Sequence, residues 1–127
     1  MLSRLTLAAK LLLILSLNPA FADEPVMIGL EAGYDACGAI SETITLTNVH
    51  VEPNQQSKIV DSLAMGILVW DCDWKDMNGE IWSGVIYSLD SDKDCGPMGT
   101  PIAEAREYIG PCNHGWVNRD NLTHIAP

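Results

Sequence analysis

Ile81-Trp82-Ser83-Gly84-Val85-Ile86-Tyr87 is the stretch on which the fold turns. Aromatic and β-branched residues fill it and Asn78-Gly79 precedes it, so it reads as a strand. Successive side chains of a strand point to opposite faces. Trp82, Gly84 and Ile86 therefore share one face, and Ser83, Val85 and Tyr87 the other. Both faces carry large apolar groups, whereas a strand of a small barrel needs only one inward face. Another part of the chain must cover the second.

On either side of this strand, short β-like runs alternate with turn signals. Residues 40–51 are rich in Thr, Val and Ile and suit a strand or a strand pair. Glu52-Pro53-Asn54 makes a turn, 55–62 is polar around Ile59 and Val60, and Met65-Gly66 turns again before Ile67-Leu68-Val69-Trp70. Acids crowd 71–80, which reads as an exposed connection, and 90–99 reads as an acidic loop with Gly and Pro. Gly115-Trp116-Val117 and 122–125 read as two last strands, and 23–34 as a loosely held lead-in. One short helix is expected over 101–108, with Thr100 as cap, Pro101 in the first turn and Gly110 past the end. Many short strands with turns between them predict an all-β chain, a small barrel.

Composition sets the class. The chain has 127 residues, 47% of them hydrophobic and 19% charged, which fits one folded domain rather than a disordered chain. Seventeen acidic against seven basic side chains leave a net charge of −10, which argues against nucleic acid or anionic lipid as the main partner. Residues 1–22 read as a secretory signal. Arg4 and Lys10 are basic, the run from Leu11 to Leu17 is apolar, and Pro19-Ala20-Phe21-Ala22 ends in a small-x-small site. That run is shorter than the roughly 20 residues of a membrane span. Cleavage after Ala22 leaves a single domain, 23–127, with five basic side chains and all 17 acidic ones, a net charge of −12. The expected location is the periplasm or the exterior, with no membrane attachment after cleavage.

Export changes how Cys37, Cys72, Cys95 and Cys112 read. An even number in a small exported domain favours two disulfides, and four cysteines allow three pairings. A zinc site is disfavoured because no C-x2-C pair exists.

From residue 47 to residue 122 the order of motifs resembles the bacterial SH3-like (SH3b) domain family. Thr47-Asn48-Val49-His50-Val51-Glu52-Pro53 stands where that family has L-N-V-R-x-G-P. Ser57-Lys58-Ile59-Val60, then Leu63 and Gly66, resembles its next strand and glycine turn. Trp82-Ser83-Gly84-Val85 resembles its W-x-x-V strand, and Gly115-Trp116-Val117 with Leu122 its closing G-W-V-x-x-x-x-L. His50 and Glu52 replace the family's Arg and Gly. Against the family pattern, 88–114 is an insertion, and it is the expected cover for the second face of the 81–87 strand. Cys95 and Cys112 bracket the insertion, so the resemblance pairs them and leaves Cys37 with Cys72. The first bridge encloses 16 residues and contributes on the order of 3 kcal/mol in the loop-entropy model.

No arrangement of residues suggests catalysis. His50, His114 and His124 are scattered, and no serine sits in a nucleophile elbow. Asp71, Asp73 and Asp76 miss the D-x-D-x-D-G calcium pattern because Lys75 and Met77 interrupt it. Trp74, flanked by Asp73 and Lys75, is a candidate exposed anchor with a polar rim. The resemblance makes Trp82 a groove tryptophan. The expectation is a non-enzymatic exported binding module without a cofactor or metal, using Trp74, Trp82, Asp73 and Asp76 to hold a peptide, cell-wall fragment or protein. The alternative is an acidic inhibitor or immunity protein that blocks a basic cell-wall hydrolase. A small hydrolase or metal-binding protein is a third, weaker reading.

Overall fold

The computed structural model describes residues 24–127, so the expected signal segment and its cleavage site lie outside the described residues. In chain order the strands are β1 (Met27–Ile28), β2 (Ala39–Thr43), β3 (Thr47–His50), β4 (Ile59–Leu63), β5 (Leu68–Met77), β6 (Glu80–Tyr87), β7 (Arg106–Glu107), β8 (Asn113–Asn118) and β9 (Leu122–Ala126). A 3-10 turn, Arg119–Asn121, joins β8 to β9, and the Asn118 side chain caps it by accepting from the Asp120 amide. Every pairing is antiparallel. Seven strands form one sheet in the order β4-β3-β8-β6-β5-β2-β9, and β1 pairs with β7 in a second, small sheet. The fold is all-β, as the alternation of short runs and turns implies. The outer strands β4 and β9 do not pair with each other, so the large sheet stays open rather than closing into a barrel.

β6 divides two cores. Val85 and Tyr87 pack with Val49, Leu63, Val69 and Val117 on one face of the large sheet. Trp82 and Ile86 pack on the other with Trp116, Val26, Ile28, Met98, Tyr108 and the four cysteines. Each fully buried large apolar side chain contributes about 1.5–3 kcal/mol relative to exposure. The second face is thus covered from both ends of the sequence, by the 24–28 segment and by the 88–114 stretch. Both disulfides belong to this second core, Cys37 with Cys72 and Cys95 with Cys112. That is the pairing the insertion implied. The Tyr108 hydroxyl donates to the Cys95 carbonyl at 2.9 Å and accepts from the Cys112 amide at 3.0 Å, locking the base of the stretch.

Three local expectations are corrected. Residues 101–108 form no helix. Two turns nucleate poorly alone. Here the backbone instead pairs Arg106 and Glu107 with Ile28 and Met27, which lets Tyr108 turn inward. Residues 71–77 are not an exposed connection but the second half of β5. Asn78 and Gly79, at φ 57° and 90°, make the two-residue turn that joins it to β6. Left-handed φ at both central positions matches the twist of a hairpin, and Asn-Gly adopts it readily. The 23–34 lead-in is anchored over 24–28, while 30–34 stays exposed. Val26 and Ile28 are buried, and the Trp116 indole donates to the Glu24 carbonyl at 2.9 Å.

Candidate functional site

β5 carries a bulge between Asp71 and Asp73, where Cys72 is the extra residue. A bulge re-aims the side chains that follow it. Cys72 and Asp73 both turn inward, and Trp74 turns outward, with 54% of its surface exposed. Beside this bulge lies a cleft of about 800 Å³. Its floor is Asp71 to Trp74, one wall is the 30–39 segment, and the other wall is Arg119 with Leu122 and His124.

The first wall is well anchored. The Cys37–Cys72 bridge ties it to the floor. The amides of Ala36 and Cys37 donate to the carbonyls of Thr100 and Met98 at 2.8 and 3.0 Å, so the 88–114 stretch buttresses it from behind. It presents Tyr34, Glu31 and Asp35 to the cleft. Tyr34 and Trp74 thus offer two exposed rings among carboxylates.

A polar triad sits at the other side of the floor. The Arg119 Nε donates to Ser83 Oγ at 2.8 Å, and Ser83 Oγ donates to Asp71 Oδ2 at 3.2 Å. The Arg119 Nη2 stands 3.5 Å from Asp71 Oδ1. Burial raises the Asp71 pKa above the ordinary carboxylate value, and the Arg119 guanidinium and the Ser83 hydroxyl oppose that rise. The Ser83 hydroxyl is thus held between the guanidinium and the carboxylate, which fixes Arg119 against Asp71.

The structure separates the four candidate binding residues. Trp74 and Asp73 line the cleft. Asp73 is nevertheless buried, its oxygens taken by the amides of Met27 and Trp74, so it shapes the floor. Asp76 lies beyond the cleft and accepts from the Gly79 amide at 2.7 Å, stabilising the hairpin turn. Trp82 is only 1% exposed, which corrects its assignment as a groove residue. Its indole donates to Glu80 at 2.7 Å, and its ring meets His50 edge-on with centroids 5.3 Å apart. His50 is itself buried, with Nδ1–H donating to the Ser57 carbonyl. The sequence gives Tyr34, Ser83, Arg119 and the 30–39 wall no site role, and Asp71 enters it only as part of a failed calcium pattern. Arg119 was the detectable signal, as one of five basic side chains in 23–127 and placed two residues after the apolar pair Trp116-Val117.

A second concavity of about 410 Å³ lies beside Tyr87 and His114. Tyr87 donates to Asp61 at 2.7 Å, and burial together with that carboxylate pushes the phenol above its usual range. Among the described residues no group of three or more His, Cys, Asp or Glu side chains is placed to hold a metal ion, and no helix is long and apolar enough to cross a membrane. Comparison with known proteins finds no family model, curated protein or solved structure that matches the chain.

Proposed function

We propose that this protein is a non-enzymatic binding module that acts after export and holds a basic peptide segment in the cleft beside Trp74. The observation that carries the reading is that the exposed Trp74 and Tyr34 rings line one cleft together with Glu31 and Asp35. Aromatic faces attract ammonium and guanidinium groups, and flanking carboxylates add a screened Coulombic pull. Two disulfides in so small a domain point to an oxidising compartment, which accords with the periplasmic or secreted location expected from the leader. The SH3-like resemblance suggests cell-wall peptides as the source of the segment.

The net charge of −12 over 23–127 favours a second reading, an acidic inhibitor or immunity protein whose target is a basic cell-wall hydrolase. Long-range attraction then speeds encounter. Titrating purified peptidoglycan fragments and a purified basic cell-wall hydrolase, each at low and high salt, separates the two. Capture of fragments weakened about 10-fold or more by Trp74→Ala supports the module. Salt-sensitive capture of the hydrolase alone supports the inhibitor. If Trp74→Ala changes neither, the cleft is not the site.

A further inference from the structure

The end of the large sheet remote from Trp74 carries Ile44, Leu46, Met65 and Leu68, each between 50% and 71% exposed. They stand on two loops, 44–46 between β2 and β3 and 64–67 between β4 and β5, with Leu68 opening β5. Trp74 lies six residues further along β5, roughly 20 Å by the rise of an extended strand.

Thr43 clamps the two loops together. Its amide donates to the Ile67 carbonyl at 3.0 Å, and its carbonyl accepts from the Gly66 amide at 2.8 Å. Its hydroxyl donates to the Ala64 carbonyl at 2.7 Å and accepts from the Ile67 amide at 2.9 Å. The Ile44 amide donates to the Asn121 carbonyl at 2.9 Å, which adds the 3-10 turn to the same support. Thr43 and Thr47 are fully buried. The apolar side chains are therefore held outward on ordered backbone, and a partner would meet them with little further ordering cost.

Glu42 and Asp120 are the charged side chains in the segments 42–48, 62–68 and 120–123 that form this end, and the guanidinium of Arg119, which opens the 3-10 turn, is taken by Ser83 and Asp71 in the cleft wall. An anionic lipid surface would be repelled. Two copies facing each other through this end would bring acid to acid and add the repulsion of two strongly negative domains.

We infer that this loop end is a docking surface, separate from the cleft, for a basic protein that presents an apolar pocket to Leu46 and Met65. The acidic rim provides steering and register, and the four apolar side chains provide the buried centre.

A photo-crosslinking residue at Leu46 tests this in the exported fraction of the producing cell. The crosslinked protein is identified, purified and titrated against the unmodified chain, a Leu46→Ser/Met65→Ser double variant, Ile109→Ser as an exposed apolar control elsewhere, and Trp74→Ala. A basic partner whose affinity falls about 100-fold in the double variant, and stays within about threefold in Ile109→Ser, establishes the surface. Adducts only with a second copy, with lipid or with an acidic protein overturn the inference. So does the absence of any adduct, or a partner whose affinity the double variant leaves unchanged. Thermal unfolding of the double variant at the parent temperature shows that the loss is not misfolding. Trp74→Ala reports on the cleft alone, so failure of one reading leaves the other visible.

Discussion

The Asp73 carboxylate accepts the backbone N–H of Met27, 46 residues earlier in the chain, at 3.0 Å. Its other oxygen accepts the Trp74 amide at 2.7 Å. One buried carboxylate thus fixes both the N-terminal strap over the second core and the backbone that holds the exposed ring.

Replacing it should loosen both. A hydrogen bond to a charged group is worth about 1.5–3 kcal/mol, and an orphaned buried donor adds to the loss. Asp73→Ala is expected to lower stability by about 3 kcal/mol in urea unfolding and to speed hydrogen exchange at the Met27 amide. Asp73→Asn keeps one acceptor oxygen and should lose less. Equal losses in the two variants would show that the hydrogen bonds are not what matters.

Gly84 allows three elements to meet. A Cβ there would lie 2.8 Å from Asp73 Cβ, 3.1 Å from Val26 Cγ1 and 3.2 Å from Trp116 Cη2. Overpacking of this kind costs about 1–3 kcal/mol. Gly84→Ala should therefore lower the urea midpoint clearly. Gly38→Ala, where nothing lies within 4 Å of the new methyl group, should change stability by less than about 0.5 kcal/mol.

The two crosslinks differ in the loop each closes, with sequence separations of 35 and 17. In the loop-entropy model, removing Cys37–Cys72 costs about 4 kcal/mol and removing Cys95–Cys112 about 3 kcal/mol. Paired Cys→Ala variants compared by calorimetry check the order. Loss of Cys37–Cys72 should also weaken ligand capture, because that bridge joins the cleft wall to its floor. Loss of Cys95–Cys112 should act mainly on stability.

Asp71 carries a pH signature. Burial raises its folded pKa above the ordinary aspartate value of 3.8. Between the unfolded and folded values the native state holds more protons than the unfolded state, so the slope of unfolding free energy against pH is negative there. The stability Asp71 contributes is complete below about pH 3.8 and is lost as pH rises through its folded pKa. Asp71→Asn removes this titration. Melting temperatures of parent and variant measured across the acid range should shift relative to each other in the variant's favour as pH rises above that point. A constant offset across the range contradicts the assignment.

The all-β class, most of the strands and the need for a second core were legible because they follow from local alternation. Trp82 and Val85 point to opposite faces whatever surrounds them. The 71–77 half of β5 was hidden because four acids in 71–80 resemble a solvated loop, although the Asn-Gly pair two residues before Ile81 is a hairpin signal. The 101–108 helix failed for a tertiary reason. Its caps were present, but β1 offered Arg106 and Glu107 a backbone partner that no local pattern reveals. At the site, Trp74 was legible as an aromatic set among charges. The Asp71–Ser83–Arg119 network was not, because its members are brought together only by the pairing of β5 with β6 and by the turn after β8.

Every position of β6 from Trp82 to Tyr87 is buried, because each of its faces belongs to a different core. Most strands in a protein this small keep one side where inherited changes can accumulate harmlessly. This one has no such side. Over generations the six letters that end it should drift most slowly, and a lineage that altered them would have to repair two interiors at once.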